Sequence, residues 1–235
     1  MGEVDIALIT DGEGVLGIGD WGTGGIDISI GKLMVYTLCG GIDPSRVLPI
    51  QLDVGTNNKA LIDDPMYLGW RHERVTGDDY DAFIDKVVTA ILKRFPKVYI
   101  HWEDFGRGNA HRVLNHYRKK HTSFNDDIQG TGATASACIL SAMKATNANL
   151  SEQRFVFLGA GTAGTGVADQ LCQALIHSGV AIEDAQKQFW MIDRDGLITS
   201  DMDHLTDNQK VYAREQHEMR GWDLQQVVDQ VKPTV

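Results

Sequence analysis

"RFVFLGAGTAGTGVADQLCQALIHSG", Arg154 to Gly179, is the stretch whose reading decides the fold. An apolar run of strand length, "FVFL", meets a glycine-rich turn and then a segment of helical character. The spacing G-x-G-x-x-G is a weak signal alone, but between a strand and a helix it has the context that a dinucleotide-binding turn requires. The glycines permit a tight turn and close approach to a pyrophosphate, whose charge a helix N-terminus favours. The candidate binding residues are Gly159, Ala160, Gly161, Thr162, Ala163 and Gly164. A purely structural glycine turn is the competing reading.

Downstream, "QFWMID" reads as the next strand and ends at Asp193. An acid there accepts hydrogen bonds from the adenosine ribose hydroxyls and favours NAD. It lies beyond the usual spacing of roughly 20 residues, which the insertion-like "SGVAIEDAQKQ" explains. Arg194 beside it keeps the 2′-phosphorylated cofactor open. The tail from Asp201 is polar and helical in parts, and its last residues, "KPTV", read as the start of a strand. A full dinucleotide fold needs about six strands, and two or three fit after Arg154, so this unit is expected to be C-terminally incomplete.

Upstream, strand-length apolar runs alternate with helix-period segments, the pattern of a mainly parallel α/β protein. The expected strands are "VDIALIT", "RVLPIQLDVG" and "KVYIHWEDF". A helix is expected from about Asp78 to Phe95, with Tyr80, Phe83, Ile84, Val87, Val88, Ile91, Leu92 and Phe95 forming its apolar stripe. Further helices are expected after "GRGN" and from Gly130 to Thr146. The whole reads as a parallel-sheet substrate and metal domain over residues 1–126, followed by a truncated Rossmann-type NAD-binding domain over 127–235.

Each upstream strand runs into acids: Asp11 and Glu13, Asp53, then Glu103 and Asp104. Ligand sites in open parallel sheets lie beyond the carboxyl ends of the strands, so these acids are expected to converge on one edge. Glu103, Asp104 and Asp127 suit a hard divalent cation such as Mn²⁺ or Mg²⁺. Helix capping is the alternative role for the acids before "GRGN" and at Asp127. Lys32 stands in the apolar "DISIGKLMVYTL"; desolvation is expected to lower its pKa and fit it for proton transfer, with a snorkelling lysine as the bland alternative. His101 and His111 show no metal spacing and read as structural or solvated.

The chain has 235 residues, 43% apolar and 23% charged, a globular composition. Its formal charge of −10 argues against nonspecific nucleic-acid binding. No apolar run approaches a membrane span and no signal-type segment opens the chain. Cys39, Cys138 and Cys172 sit among apolar neighbours and read as buried thiols of a cytoplasmic protein.

"TDGEGVLGIGDWG", "GKLMVYT", "LDVGTNN", "WEDFGRGNA", "FNDDIQGTG" and "FLGAGTAGTG", in this order, resemble the malic enzyme family over nearly the whole chain. "GDWG", "HWEDFG" and the tail are most similar to malolactic enzymes of lactic acid bacteria, whereas "GWRHERVTGDDYDAF" looks equally like bacterial NAD-malic enzymes. The resemblance implies NAD- and Mn²⁺-dependent decarboxylation of L-malate, giving L-lactate in the malolactic type and pyruvate with NADH in the malic type. A fragment that binds NAD without turnover is the third possibility. The resemblance also implies metal ligation by Glu103, Asp104 and Asp127, catalysis by Lys32 assisted by Asp126, an upstream tyrosine as enolate acid, and homodimers or homotetramers. Gly14 stands where many relatives carry an arginine that binds a malate carboxylate.

Overall fold

Ile6–Thr10 (β1), five residues that are all buried, forms the spine of the first sheet in the computed structural model, which describes residues 3–235. Val47–Gln51 (β2) and Tyr99–Glu103 (β3) flank it, and Ser123–Asn125 (β4) lies outside β3, so the order is β2-β1-β3-β4. Every pairing is parallel. Parallel strands are covered on both faces, which explains the near-continuous apolar runs that mark β1 and β3 in the sequence. The register sets Thr10 opposite both Gln51 and Glu103, so β1, β2 and β3 end level.

Three long helices complete this unit, which spans Met1–Asp126. Ile26–Gly40 (α1) ends at Gly41, whose left-handed φ of 71° lets its amide and that of Ile42 return to Thr37 and Tyr36 carbonyls. Lys59–Asp63 (α2) is a short helix capped by Asn58. Gly77–Arg94 (α3) carries Asp78 and Asp79 in its first turn and Lys93 and Arg94 in its last, each complementing the helix dipole. Its buried stripe is Tyr80, Ile84, Val88 and Ile91; Phe83 is 36% exposed, so the apolar face is narrower than the sequence pattern suggests. Arg107–Tyr117 (α4) buries Ala110, Val113, Leu114 and Tyr117.

The second unit, Asp127–Val235, opens in a π-helical turn, Asp126–Gly130, that leads into Thr131–Thr146 (α5). Phe155–Leu158 (β5) pairs parallel with Phe189–Asp193 (β6), and the two-residue Gly196–Leu197 (β7) pairs antiparallel with β6. Thr162–His177 (α6) connects β5 to β6, followed by the short Ile182–Gln186 (α7). Phe155, Leu171, Leu175, Phe189 and Met191 are almost fully buried at the centre of this core. Asp207–Lys210 (α8) and Leu224–Val231 (α9) follow, the latter burying Val227 against Ile192, Leu197 and Met219. The final "KPTV" forms no strand, although Thr234 and Val235 exchange backbone hydrogen bonds with Arg154 and Val156.

Close helix packing explains two of the glycines. A Cβ on Gly166 of α6 would lie 2.6 Å from the Ile128 carbonyl oxygen, and one on Gly132 of α5 2.9 Å from the Gly166 carbonyl oxygen. The cysteine expectation is corrected: Cys172 is buried, but Cys39 and Cys138 are exposed, because the apolar neighbours on α1 and α5 lie on outward faces. Among the described residues no helix is long and apolar enough to cross a membrane.

The narrow stripe of α3 yields a direct comparison. Ile84→Ala is expected to cost about 2–4 kcal/mol, the range for a fully buried aliphatic truncation, and Phe83→Ala under about 1 kcal/mol. Urea unfolding of both variants measures the difference; equal losses would mean that Phe83 shares the core.

Candidate functional site

The level strand ends bring acids to one edge of the first sheet, yet the acids do different work. Asp53 caps its own loop, accepting from Trp70 N at 2.8 Å. Glu13 accepts from Asn109 Nδ2 at 3.3 Å. Asp20 binds Arg74 through both carboxylate oxygens, each at 2.7 Å; burial works against its charge, but Arg74 together with the Asn57 and Gly22 backbone N–H groups outweighs it and holds the carboxyl below its ordinary range.

Asp11 is fully buried and accepts from Tyr80 Oη at 2.7 Å. Burial pushes its pKa up to about 6, against the opposing pull of Arg74 and Tyr80. Asp11 is therefore a structural acid held above its ordinary range, and Arg74, bound most closely to Asp20, stands 4.0 Å from Asp11 Oδ1.

Asp104 is a backbone anchor. It is 2% exposed and holds a left-handed φ of 55°, a conformation that costs a non-glycine residue about 1 kcal/mol or more. Its carbonyl accepts from Gly14 N at 2.8 Å and its Oδ1 from Leu16 N at 3.0 Å, fastening the glycine-rich loop to the end of β3. The helix-capping alternative fails for α4, whose N-cap is Gly106 with no side-chain cap. A Cβ on Gly14 would lie 2.9 Å from the Phe105 carbonyl oxygen, so the loop approaches β3 too closely for a side chain there without backbone movement.

Lys32 of α1 reaches this edge. Its Nζ donates to Glu103 Oε1 and, at 2.7 Å, to Asp126 Oδ2. The expected lowering of its pKa is overturned: burial does pull the value down, but the Glu103 and Asp126 carboxylates outweigh burial and the net shift is upward. Lys32 is held as an ammonium.

His101, read from the sequence as structural or solvated, is structural. It is completely buried, with Nε2 2.9 Å from Glu103 Oε2 and Nδ1 2.9 Å from Tyr36 Oη. Glu103 accepts, so the Nε2 proton is directed to it and Nδ1 is left to accept from the Tyr36 hydroxyl; burial, together with the charge of Asp126, raises the Tyr36 pKa. His101 and Glu103 share one face of β3 by the two-residue strand period, and Lys32 and Tyr36 share one face of α1 at i, i+4. Those periods were the available signal. Ligating atoms of His101, Glu103 and Asp126 lie within 4.8 Å of one another. In this arrangement the Lys32 ammonium is the cation that the Glu103 and Asp126 carboxylates hold. Asp127 follows Asp126 directly in the π-helical turn.

In the second unit, the glycine turn lies between β5 and α6. Gly159 has φ 109°, and a Cβ on Gly164 would meet the Gly159 carbonyl oxygen at 2.1 Å. Gly161 is the N-cap of α6 and no side chain caps that terminus, so the turn residues Ala160, Thr162 and Ala163 stand beside backbone amides suited to a phosphate. Asp193 ends β6, and Arg194, exposed, donates its backbone N–H to Asp193 Oδ1 at 3.0 Å. Gln209, which the sequence reading passed over, is buried and donates to both Ala160 O and Asp193 Oδ2. Its only sequence signal was the T-x-x-Q capping pattern of "LTDNQ".

Comparison with known proteins follows the same division. The model of the malic enzyme N-terminal domain matches residues 1–118, and that of the malic enzyme NAD-binding domain matches residues 128–235. Over 99% of the chain there is 52% identity to NAD-dependent malic enzyme 3 of Bacillus subtilis, covering 43% of that protein, and 46% identity to the malolactic enzyme of Lactococcus lactis, covering 44%. The crystal structure of the Entamoeba histolytica malic enzyme aligns with a TM-score of 0.63 at 26% identity, over 88% of this chain and 37% of that one. The NAD-dependent malic enzyme of Thermotoga maritima shares the fold with a TM-score of 0.67 at 23% identity, over 96% and 51%. This chain spans less than half the length of the sequence relatives cited. It belongs to the malic enzyme family.

The Asp11 pKa has a signed consequence. A folded value near 6 against 3.8 in the unfolded chain means that the native state binds the extra proton, so this group's contribution to stability falls as pH rises from about 4 to about 6. Asp11→Asn is expected to remove that slope, gaining on the parent by on the order of 3 kcal/mol between pH 4 and 7 at about 1.4 kcal/mol per pKa unit. Urea denaturation across this range measures it, and parallel curves would show an ordinary Asp11 pKa.

Proposed function

We propose that this member of the malic enzyme family serves the NAD-dependent decarboxylation of L-malate, with Glu103, Asp104 and Asp127 holding Mn²⁺ or Mg²⁺ and Lys32 and Asp126 handling protons. The observation that carries the reading is the hydrogen-bonded group Lys32, Glu103 and Asp126 at the carboxyl edge of a parallel sheet. A divalent cation supplies Lewis-acid stabilisation of charge developing on the substrate oxygen. Lys32 takes the C2 hydroxyl proton at Nζ. The carboxylate charge that keeps it an ammonium is the charge a bound cation offsets, which makes the amine form accessible. Asp126, hydrogen-bonded to Nζ, orients that nitrogen and accepts its proton. In the second unit, Gly159 to Gly164 receive the cofactor pyrophosphate, and Asp193, with Arg194 beside it, meets the adenosine ribose.

Two products suit this chemistry. L-Lactate, with the reduced cofactor retained and the hydride returned, is favoured by the likeness of "GDWG", "HWEDFG" and the tail to malolactic enzymes. Pyruvate, with NADH released, is favoured by the higher identity to the Bacillus subtilis NAD-dependent malic enzyme. Assembly as a homodimer or homotetramer, and a place in the cytoplasm, are proposed on the family resemblance.

The full-length protein, incubated with L-malate, NAD⁺ and Mn²⁺, is expected to yield lactate without net NADH; equimolar pyruvate and NADH would select the second reading, and neither product would refute both. Lys32→Ala is expected to retain Mn²⁺ binding and lower kcat by about 10²–10⁴-fold, the usual contribution of a positioned proton carrier. Glu103→Gln is expected to weaken Mn²⁺ binding itself. Normal turnover by Lys32→Ala would remove the lysine from the mechanism.

A further inference from the structure

Two residues of α1 and two of β3 close a ring of hydrogen bonds. Lys32 Nζ donates to Glu103 Oε1, His101 Nε2 donates to Glu103 Oε2 at 2.9 Å, and Tyr36 Oη donates to His101 Nδ1 at 2.9 Å. Lys32 and Tyr36 stand about one turn apart on α1, and His101 and Glu103 are alternate residues of β3, so each element presents its pair on one face. Each oxygen of the Glu103 carboxylate therefore has its own donor.

The imidazole itself is fixed. It is completely buried, and two aromatic rings meet it edge to face, Tyr36 with centroids 5.7 Å apart and Phe124 at 5.5 Å. Phe124 lies directly opposite His101 in the register of β3 with β4. The tautomer follows from the partners: Glu103 accepts from Nε2, which leaves Nδ1 to accept from Tyr36, so both ring nitrogens are used.

An ammonium has three protons to give, and a carboxylate free to rotate turns both oxygens to it. His101 prevents that turn by holding Oε2, and Oε1 alone faces Lys32. Carboxylate oxygens are the donors that Mn²⁺ and Mg²⁺ take, and a hydrogen-bond partner behind a ligating carboxylate orients it for the ion.

We propose that His101, braced by Tyr36, is a positioning residue of this edge: it holds Glu103 in the orientation that receives the divalent cation and limits the grip of Lys32 to one oxygen. The inference rests on the reading of Glu103 as a metal ligand. His101 acts through Glu103 and from beneath the sheet edge, where the ring has no exposed surface.

The test is calorimetric titration of the full-length protein with Mn²⁺. His101→Gln and His101→Asn separate the two hydrogen bonds of the ring. The glutamine amide reaches the place of Nε2 and keeps a donor for Glu103, whereas the asparagine side chain reaches only the place of Nδ1 and keeps a partner for Tyr36. His101→Asn is expected to raise the Mn²⁺ Kd about tenfold or more and His101→Gln to stay within about threefold of the parent, since loss of such a partner costs about 10–100-fold in metal affinity. A histidine that only fills space predicts equal losses, because both variants remove the ring that packs on Tyr36 and Phe124; equal losses would overturn the proposal. Tyr36→Phe keeps the ring contact and removes the hydroxyl, and is expected to raise the Kd about threefold, the equivalent of one modest hydrogen bond. It decides the matter if a His101 variant does not fold, an unchanged Kd then overturning the positioning role. Glu103→Gln is the control for the underlying reading. If Glu103→Gln loses Mn²⁺ affinity while both His101 variants bind as the parent does, the positioning role falls and the metal ligand stands. If Glu103→Gln binds Mn²⁺ normally, both fall.

Discussion

One ammonium shared by two carboxylates is the constraint around which the first unit is organised. Glu103 is 3% exposed and therefore needs a partner for its charge, because an unpaired carboxylate loses several kcal/mol of solvation on burial. Lys32 supplies the charge and His101 a further hydrogen bond. The partners come from three different elements: α1, β3 and the segment after β4. Their meeting depends on strands that end level, which the parallel register ensures.

The remaining acids show how an edge rich in carboxylates is kept from repelling itself. Asp20 is neutralised by Arg74, Asp53 and Asp104 are turned to backbone amides, and Asp11 is pushed toward its neutral form. Each device removes one negative charge from competition or directs it into loop architecture. What is left facing Lys32 is Glu103 and Asp126. The left-handed backbone of Asp104 belongs to the same economy of space: it bends the chain at the strand end so that the glycine loop docks through Gly14 and Leu16.

The second unit solves a different problem, the close approach of backbone to backbone. Gly164 lies against the Gly159 carbonyl and Gly166 against the Ile128 carbonyl, so α6 is drawn in toward β5 at one end and along α5 on its flank. Gln209 then links the turn to the end of β6 across a core packed by the stacked rings of Phe155 and Phe189, 5.0 Å apart. Affinity for a cofactor in such a site depends on pre-set donors and acceptors rather than on buried area.

The sequence by itself determined the alternation of strands and helices, the parallel class, the glycine turn with its flanking β5 and α6, and the gathering of acids at one sheet edge. All of these follow from local periodicity and from the rule that parallel strands present their carboxyl ends together. Only the tertiary structure decided which acid does what. Asp11, Asp53 and Asp104 look alike in sequence, and their partners Tyr80, Trp70 and Leu16 are remote or belong to loops with no period of their own. The pKa of Lys32 was misread for the same reason: desolvation is visible in an apolar stretch, whereas the opposing carboxylates stand 71 and 94 residues away along the chain. Gln209 and the partners of His101 escaped because a hydrogen bond between elements joined only by the packing of the fold leaves little trace in sequence.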